Sequence, residues 1–185
     1  MAQKEVNYKN LEQIFSSDVT LSFNLLRFVN TANVKVPIES FSQALAYLGE
    51  SNIRRFVALV AIASVSEGKP NSLYSLSLQR AHFCELTYGH EQSNSSLAFL
   101  VGLFSLLGAL FDEDLEYIAS HLPINDELKL ALSERQGKLG KILTLALAYE
   151  DGDWKAINSI SNDLSLNENI SASYYQQAMR WANID

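Results

Sequence analysis

The chain has 185 residues, of which 48% are hydrophobic and 19% charged, so it has enough apolar material for a domain with a sizeable core. Its formal net charge of −7 disfavours nucleic acid as a partner, because binding to phosphates usually needs a basic surface. Its one cysteine, Cys84, excludes an internal disulfide, and the absence of a signal-peptide pattern or a membrane-length apolar run predicts a cytoplasmic protein without a membrane segment.

Apolar residues recur every three or four positions along most of the chain, which is the spacing of helices with one buried face. No stretch shows the alternation of a half-buried strand, and only three prolines and eight glycines interrupt the pattern. Besides the central run described next, the predicted helices are Tyr8–Ser16, Val19–Thr31, Phe41–Leu48, Asn52–Val65, Leu73–Tyr88, Leu115–Leu122, Leu128–Glu134, Leu139–Tyr149, Trp154–Ile160 and Asn167–Ile184. The sequence therefore predicts an all-α bundle of about ten helices, folded as a single domain over residues 1–185.

The run Leu97–Leu110 carries no charge and is followed by Asp112–Asp114. A helix without a polar face must be buried on most of its circumference, so we predict an unbroken central helix around which the others pack. Small side chains share one narrow face of this helix: Ala98, Gly102, Ser105 and Ala109. They predict that the backbone of a neighbouring helix comes close there.

Acidic segments indicate where later helices begin, because negative charge is favourable at a helix N-terminus. Asp112–Asp114 precede one predicted helix, and Asn125–Glu127 precede the next. The segment Glu150–Asp153 predicts a tight acidic turn between two helices.

Motifs of known catalytic sites are not matched. Ser105 lies between two glycines but lacks the Gly-x-Ser-x-Gly spacing of a hydrolase nucleophile. His82 and Cys84 are two residues apart on a predicted helix, so their side chains point in different directions. The histidines do not form a metal-binding pair, and neither a catalytic residue, a cofactor nor a metal is predicted.

From about Phe15 onward the sequence resembles the HDOD domain, a branch of the HD-type metal-dependent phosphohydrolase superfamily. Three segments carry the resemblance: Asp18–Ala32, Ile38–Gly49 and Ala98–Gly108. Their order and spacing imply an HD-like helical bundle. In the catalytic members of the superfamily, the third segment carries a His-Asp pair that binds a divalent metal.

The resemblance places Ser105 and Leu106 where catalytic members carry that His-Asp pair. Serine is a poor ligand for a divalent metal and leucine is none. His82 lies close to the position of the first histidine ligand of the superfamily, and one imidazole cannot hold a catalytic metal without further donors. The resemblance thus implies a vestigial pocket around His82, Ser105, Leu106 and Asn30, without a bound metal.

Four segments resemble the HDOD half of bacterial EAL–HDOD proteins, namely Arg80–Leu86, Gly102–Leu106, Leu122-Pro123 and Ala148–Trp154. In those proteins the HDOD domain follows an EAL domain, which is a cyclic di-GMP phosphodiesterase module. The resemblance implies a non-catalytic regulatory and protein-interaction module in bacterial signal transduction, linked to cyclic di-GMP. Its partner would be another protein or an adjacent EAL-like domain, and the chain itself would not be an enzyme.

Two alternatives stay open on the sequence. A divergent metal-dependent phosphohydrolase could use His82, His121 and the acidic group Asp112–Glu116. A sensor could instead bind a small ligand in the vestigial pocket around His82, Ser105 and Asn30.

Overall fold

The computed structural model describes residues 49, 52, 54, 55, 57–59, 62, 69–89, 95–122 and 124–182. The chain divides into two compact units, residues 1–60 and 61–185. In the first unit, each described residue is helical. The helices predicted before residue 49 lie outside the described residues, and a single domain over the whole chain stays a prediction.

The described part of the second unit is mainly helical. In chain order the helices are α1 (Asn71–Tyr88), α2 (Ser95–Phe104), α3 (Leu107–Phe111), α4 (Leu115–His121), α5 (Asp126–Ser133), α6 (Gly137–Asp151), α7 (Trp154–Asp163) and α8 (Glu168–Ala182). The all-α prediction is confirmed for the described residues. The expected count of about ten helices is not matched: the structure gives the bounds of eight, besides the helical residues described before position 63.

Side-chain caps fix the starts of three helices. The Asp114 carboxylate accepts hydrogen bonds from the backbone N–H groups of Glu116 and Tyr117, which satisfies donors in the first turn of α4 that have no helical partner. Asn125 caps α5 and Asp153 caps α7 in the same way. The predicted acidic turn at 150–153 is shorter than expected, because residues 150 and 151 still belong to α6.

Helix α1 lies against α2, α6 and α8, and its contact with α2 depends on one glycine. A Cβ atom at Gly102 would lie 2.4 Å from the backbone carbonyl carbon of Arg80 and 2.6 Å from the Cα of Ala81. Only a residue without a side chain permits this approach. The prediction that small residues bring a neighbouring backbone close is confirmed at Gly102. Ala98 is fully buried, whereas Ala109 is exposed.

The central apolar run is not one unbroken helix, and that prediction is wrong. Helix α2 ends at Phe104, α3 begins at Leu107, and Ser105 and Leu106 form a turn between them. The Ser105 hydroxyl donates to the carbonyl of Gly102 at 2.7 Å, and the Ser105 N–H lies 3.3 Å from the same oxygen. These local bonds replace the regular bond to residue 101, so the helix is interrupted there.

Helix α8 also packs against α1. Its fully buried positions are small residues, Ser171 and Ala178, which let its backbone lie close to the core. Tyr175 and Trp181 pack inward against side chains of α1 and α2 rather than forming an exposed aromatic face. Within the part of the chain that the structure describes, no single helix is long and apolar enough to cross a membrane.

Candidate functional site

A buried arginine lies at the point where α1, α6 and the α2–α3 turn meet. The Nε of Arg80 donates to Oε1 of Glu150 at 2.8 Å, and its Nη2 donates to Oε2 at 2.7 Å. The remaining nitrogen, Nη1, donates to the hydroxyl of Ser105 at 3.0 Å. The guanidinium is therefore bound in a two-pronged ion pair and anchored to the helix break. We call Arg80, Glu150 and Ser105 the arginine cluster.

The arginine cluster is shielded from solvent on most sides. The Arg80 side chain is 10% exposed and the Glu150 side chain 17%. Charges that are this far removed from water need close partners, since an unpaired buried charge is strongly unfavourable. Glu150 lies in the last turn of α6, and the close contact at Gly102 holds α2 against the backbone of Arg80. The fold therefore brings together α1, the α2–α3 turn and α6, which are far apart in sequence, around one cation.

Three aromatic rings pack together near Glu150. Tyr149 and Tyr175 stack with ring centroids 4.8 Å apart, and Phe83 meets both edge-on at 5.7 and 5.6 Å. Burial, reinforced by the negative charge of Glu150, raises the pKa of Tyr175. The Tyr175 phenol therefore stays protonated over the whole neutral range and adds no negative charge beside Glu150.

Cys84 lies on the same helix as Arg80 and is fully buried. Burial strongly raises the pKa of its thiol, and the positive charge of Arg80 opposes the shift only in part. A thiol nucleophile needs a lowered pKa and access to solvent, and Cys84 has neither.

His82 faces away from the arginine cluster. Its ring stacks on Trp181 at a centroid distance of 4.7 Å, and its Nδ1 lies 3.5 Å from a carboxylate oxygen of the buried Glu85. Residues two apart on a helix point to different sides, so His82 and the Arg80 side chain that reaches Ser105 diverge.

The predicted vestigial pocket has two further members, Leu106 and Asn30. Leu106 is half-buried in the turn between α2 and α3, beside Ser105. Asn30 lies outside the described residues. The pocket as a binding site therefore stays a prediction.

The surroundings of Ser105 do not fit a divalent cation. Its hydroxyl oxygen already accepts from the positively charged Arg80 and donates its proton to the Gly102 carbonyl. A metal ion at this oxygen would meet a fixed guanidinium instead of the carboxylate and imidazole donors that hold such ions. Among the described residues, no group of three or more histidine, cysteine, aspartate or glutamate side chains is placed to hold a metal.

Three residues of the alternative metal site are engaged in other contacts. Asp112 forms an ion pair with Lys69 at 2.5 Å, and Asp114 caps α4. His121 lies at the end of α4, where its Nδ1 is 2.8 Å from the carbonyl of Tyr117.

The arginine cluster was not predicted, although the sequence contains a signal for it. Arg80 shares one side of its helix with the apolar residues Leu76 and Phe83. A charged side chain on a buried apolar side needs a partner of opposite charge. The partner, Glu150, is seventy positions away and directly follows an apolar run, so spacing alone could not identify it.

Two relatives match nearly the whole chain. A Vibrio cholerae protein named cyclic di-GMP phosphodiesterase CdgJ is 41% identical over 98% of this chain and 43% of the relative. The Bacillus subtilis protein YuxH, described as uncharacterized, is 26% identical over 99% of this chain and 46% of the relative. The chain therefore spans less than half the length of these relatives. No solved structure matches it significantly.

The Vibrio cholerae relative corrects one expectation. We expected a protein without enzymatic activity, but this relative is named as a phosphodiesterase. At 41% identity over almost the whole chain, that name points to enzymatic activity and contradicts the expectation.

The family resemblance is tested by a match to the HDOD domain model. This model matches residues 1–120, which end within α4. The more specific resemblance to the HDOD half of EAL–HDOD proteins is not confirmed by this match and stays a prediction. Since the matched residues make up more than half of the sequence, the chain belongs to the HDOD family.

Proposed function

We propose that this chain is the regulatory and protein-interaction part of a cyclic di-GMP phosphodiesterase in bacterial signalling. The observation that carries the proposal is its 41% identity to the Vibrio cholerae phosphodiesterase over 98% of the chain. Because that match covers 43% of the relative, the phosphodiesterase has a further part of more than half its length to which a domain like this one could be coupled.

The other part would be an EAL-like domain, as the resemblance of the later segments implies, and the protein would act in the cytoplasm. The arginine cluster supports a regulatory role for these residues. It ties α1 and α2, which the family model matches, to α6, which lies beyond that match. A partner that contacts the matched part of the chain would thus affect α6, and the reverse, through buried, charge-assisted hydrogen bonds.

The proposal is tested by exchange with the Vibrio cholerae relative. In one variant of that protein the matched part is deleted, and in a second it is replaced by this chain. Cyclic di-GMP hydrolysis is then measured for both, for the parent and for the 185-residue chain alone. We expect the deletion to change the hydrolysis rate and the replacement to restore it.

Two results would contradict the proposal. If the replaced protein behaves like the deletion, the chain does not regulate the phosphodiesterase. If the chain alone hydrolyses cyclic di-GMP, the activity lies within these residues and the divergent phosphohydrolase becomes the correct interpretation.

A further inference from the structure

The residues at the break between α2 and α3 do not themselves require a break. Leu103–Leu107 contains neither proline nor glycine, and the whole segment Ser95–Phe111 carries no charge. Leucine and phenylalanine are ordinary residues inside helices. A helix without proline is typically interrupted where a side chain enters its ladder of backbone hydrogen bonds. The cause of this break is therefore to be found in a side chain that contacts it.

A serine hydroxyl that bonds to its own helix does not by itself interrupt the helix. The hydroxyl of Ser77 donates to a carbonyl of α1 at 3.0 Å, and α1 continues well beyond it. The hydroxyl of Ser171 donates to the carbonyl three residues before it at 3.0 Å, and α8 also continues. Because Ser105 makes a bond of the same spacing as Ser171, that bond alone does not explain why α2 ends there.

Ser105 differs from these serines in contacting a cation. Its oxygen accepts a hydrogen bond from Nη1 of Arg80 at 3.0 Å, while its proton is donated to the carbonyl of Gly102. The Ser105 N–H is also directed at the Gly102 carbonyl, at 3.3 Å. A hydrogen bond from a charged donor is about twice as strong as one between neutral groups. The contact with Arg80 can therefore offset helical hydrogen bonds that are lost at the break.

Glu150 fixes the orientation of the guanidinium that contacts the break. Its two carboxylate oxygens accept from Nε and Nη2 of Arg80 at 2.8 and 2.7 Å, which leaves Nη1 directed at Ser105. Without the carboxylate, the guanidinium is no longer held against the hydroxyl. The uncharged segment is then free to form regular helical hydrogen bonds across residues 105 and 106.

We propose that the arginine cluster is a conformational latch: the Arg80–Glu150 ion pair keeps α2 and α3 as two helices, and its release joins them into one. A turn closed by a bond three residues back is tighter than a turn of α-helix, so joining rotates α3 about its axis. That rotation displaces the 115° bend that leads into α4. The latch is a property of this chain alone and does not depend on the proposed function.

The test measures amide hydrogen exchange in the 185-residue chain by NMR, residue by residue over 106–109. These N–H groups lie at the start of α3, and donors in a first turn have no partner within their own helix. Ser105→Ala removes the acceptor of Nη1, so the midpoint of chemical denaturation should fall. Exchange at 106–109 should nevertheless slow about tenfold, because these amides gain helical hydrogen bonds. A residue with only a packing role would give faster exchange as stability falls.

A second variant and a matched control separate the latch from the helix propensity of alanine. Arg80→Met with Glu150→Leu removes the ion pair but retains Ser105, and it should slow exchange at 106–109 to a similar extent. Ser120→Ala is the control, because the Ser120 hydroxyl also donates to the carbonyl three residues before it at 2.7 Å and lies beside His121 instead of an arginine. The amides that follow it in α4 should exchange at nearly the wild-type rate.

Three results would overturn the latch. Unchanged or faster exchange at 106–109 in Ser105→Ala would show that the break does not depend on the bond to Arg80. Slowing that the double variant does not reproduce would show that the ion pair has no part in holding the break. Equal slowing after residue 120 in the control would assign the effect to helix propensity.

Discussion

Two ion pairs, each between residues on different helices, differ in how far they are shielded from water. Arg80 and Glu150 meet through two short hydrogen bonds with side chains 10% and 17% exposed. Lys141 and Asp163 meet through one contact of 3.1 Å, with side chains 50% and 58% exposed. Water can replace the partner in the second pair but not in the first. We therefore expect the fold to depend on the arginine cluster and to be almost indifferent to the surface pair.

The largest effect is expected for Glu150→Ala. This substitution leaves the Arg80 guanidinium buried without a counter-ion, and the free energy of unfolding should fall by about 3 kcal/mol or more. Chemical denaturation monitored by circular dichroism measures the change.

The double variant Arg80→Met with Glu150→Leu serves as the control for this prediction. Because it removes both charges and keeps apolar volume, it should recover most of the lost stability. If the single and double variants are equally unstable, the loss comes from packing and not from an uncompensated charge.

Gly102→Ala should have the next largest effect. The added methyl group would overlap the backbone of Arg80 and force α2 away from α1, so we expect a loss of about 2 kcal/mol. Because Ser105 lies in the next turn, its hydroxyl should also shift away from the guanidinium. Ser133→Ala, at an exposed helical position, is the control and should leave the unfolding midpoint nearly unchanged.

Cys84 provides a pH-dependent probe of the buried region. Burial raises the pKa of this thiol above its ordinary value of 9.0, so the folded state retains a proton that the unfolded chain loses. The stabilising contribution is complete below pH 9 and decreases above it, by about 1.4 kcal/mol per pH unit. The measurement is the stability of wild type and Cys84→Ala from pH 8 to 10.5, and the variant should show the shallower decline.

The alkaline decline has other contributors, which Cys84→Ala leaves in place. Tyr74 and Tyr175 also have raised pKa values, caused first by burial, and they add to the decline above pH 10. Parallel curves for wild type and variant would contradict the assignment to the thiol.

The smallest effect is expected for Lys141→Ala, which removes the exposed pair. Its cost should be within about 0.5 kcal/mol and should vanish at high salt. A double-mutant cycle with Asp163→Ala gives the coupling energy directly. A coupling energy well above about 1 kcal/mol would refute the distinction between the two pairs.

Much of the fold could be predicted because its determinants are local. The helix starts after Asp114 and Asn125 follow from capping residues that the sequence displays. The close approach at Gly102 follows from a small residue in an apolar helix. The break at Ser105 was missed because the apolar run continues through it, and the interruption depends on a hydroxyl bond and a guanidinium from another helix.

The candidate site was predicted only in part. Ser105 was chosen because of its place in a resembling motif, and the structure shows it bound by Arg80. His82 was assigned to the same pocket but contacts Trp181, which lies 99 positions further along the chain. Contacts between residues so far apart depend on how the helices are arranged in three dimensions, and periodicity in one sequence does not contain that information.

Helix α8 limits where this protein can be truncated. The family match ends at residue 120, yet Trp181 covers His82 and Tyr175 covers Phe83. A fragment trimmed at the boundary of the match would lose Glu150 as well, and would expose aromatic surface while stranding a buried cation. The segment that the family model matches is therefore smaller than the unit whose side chains pack together, and a truncated protein should keep α6 and α8.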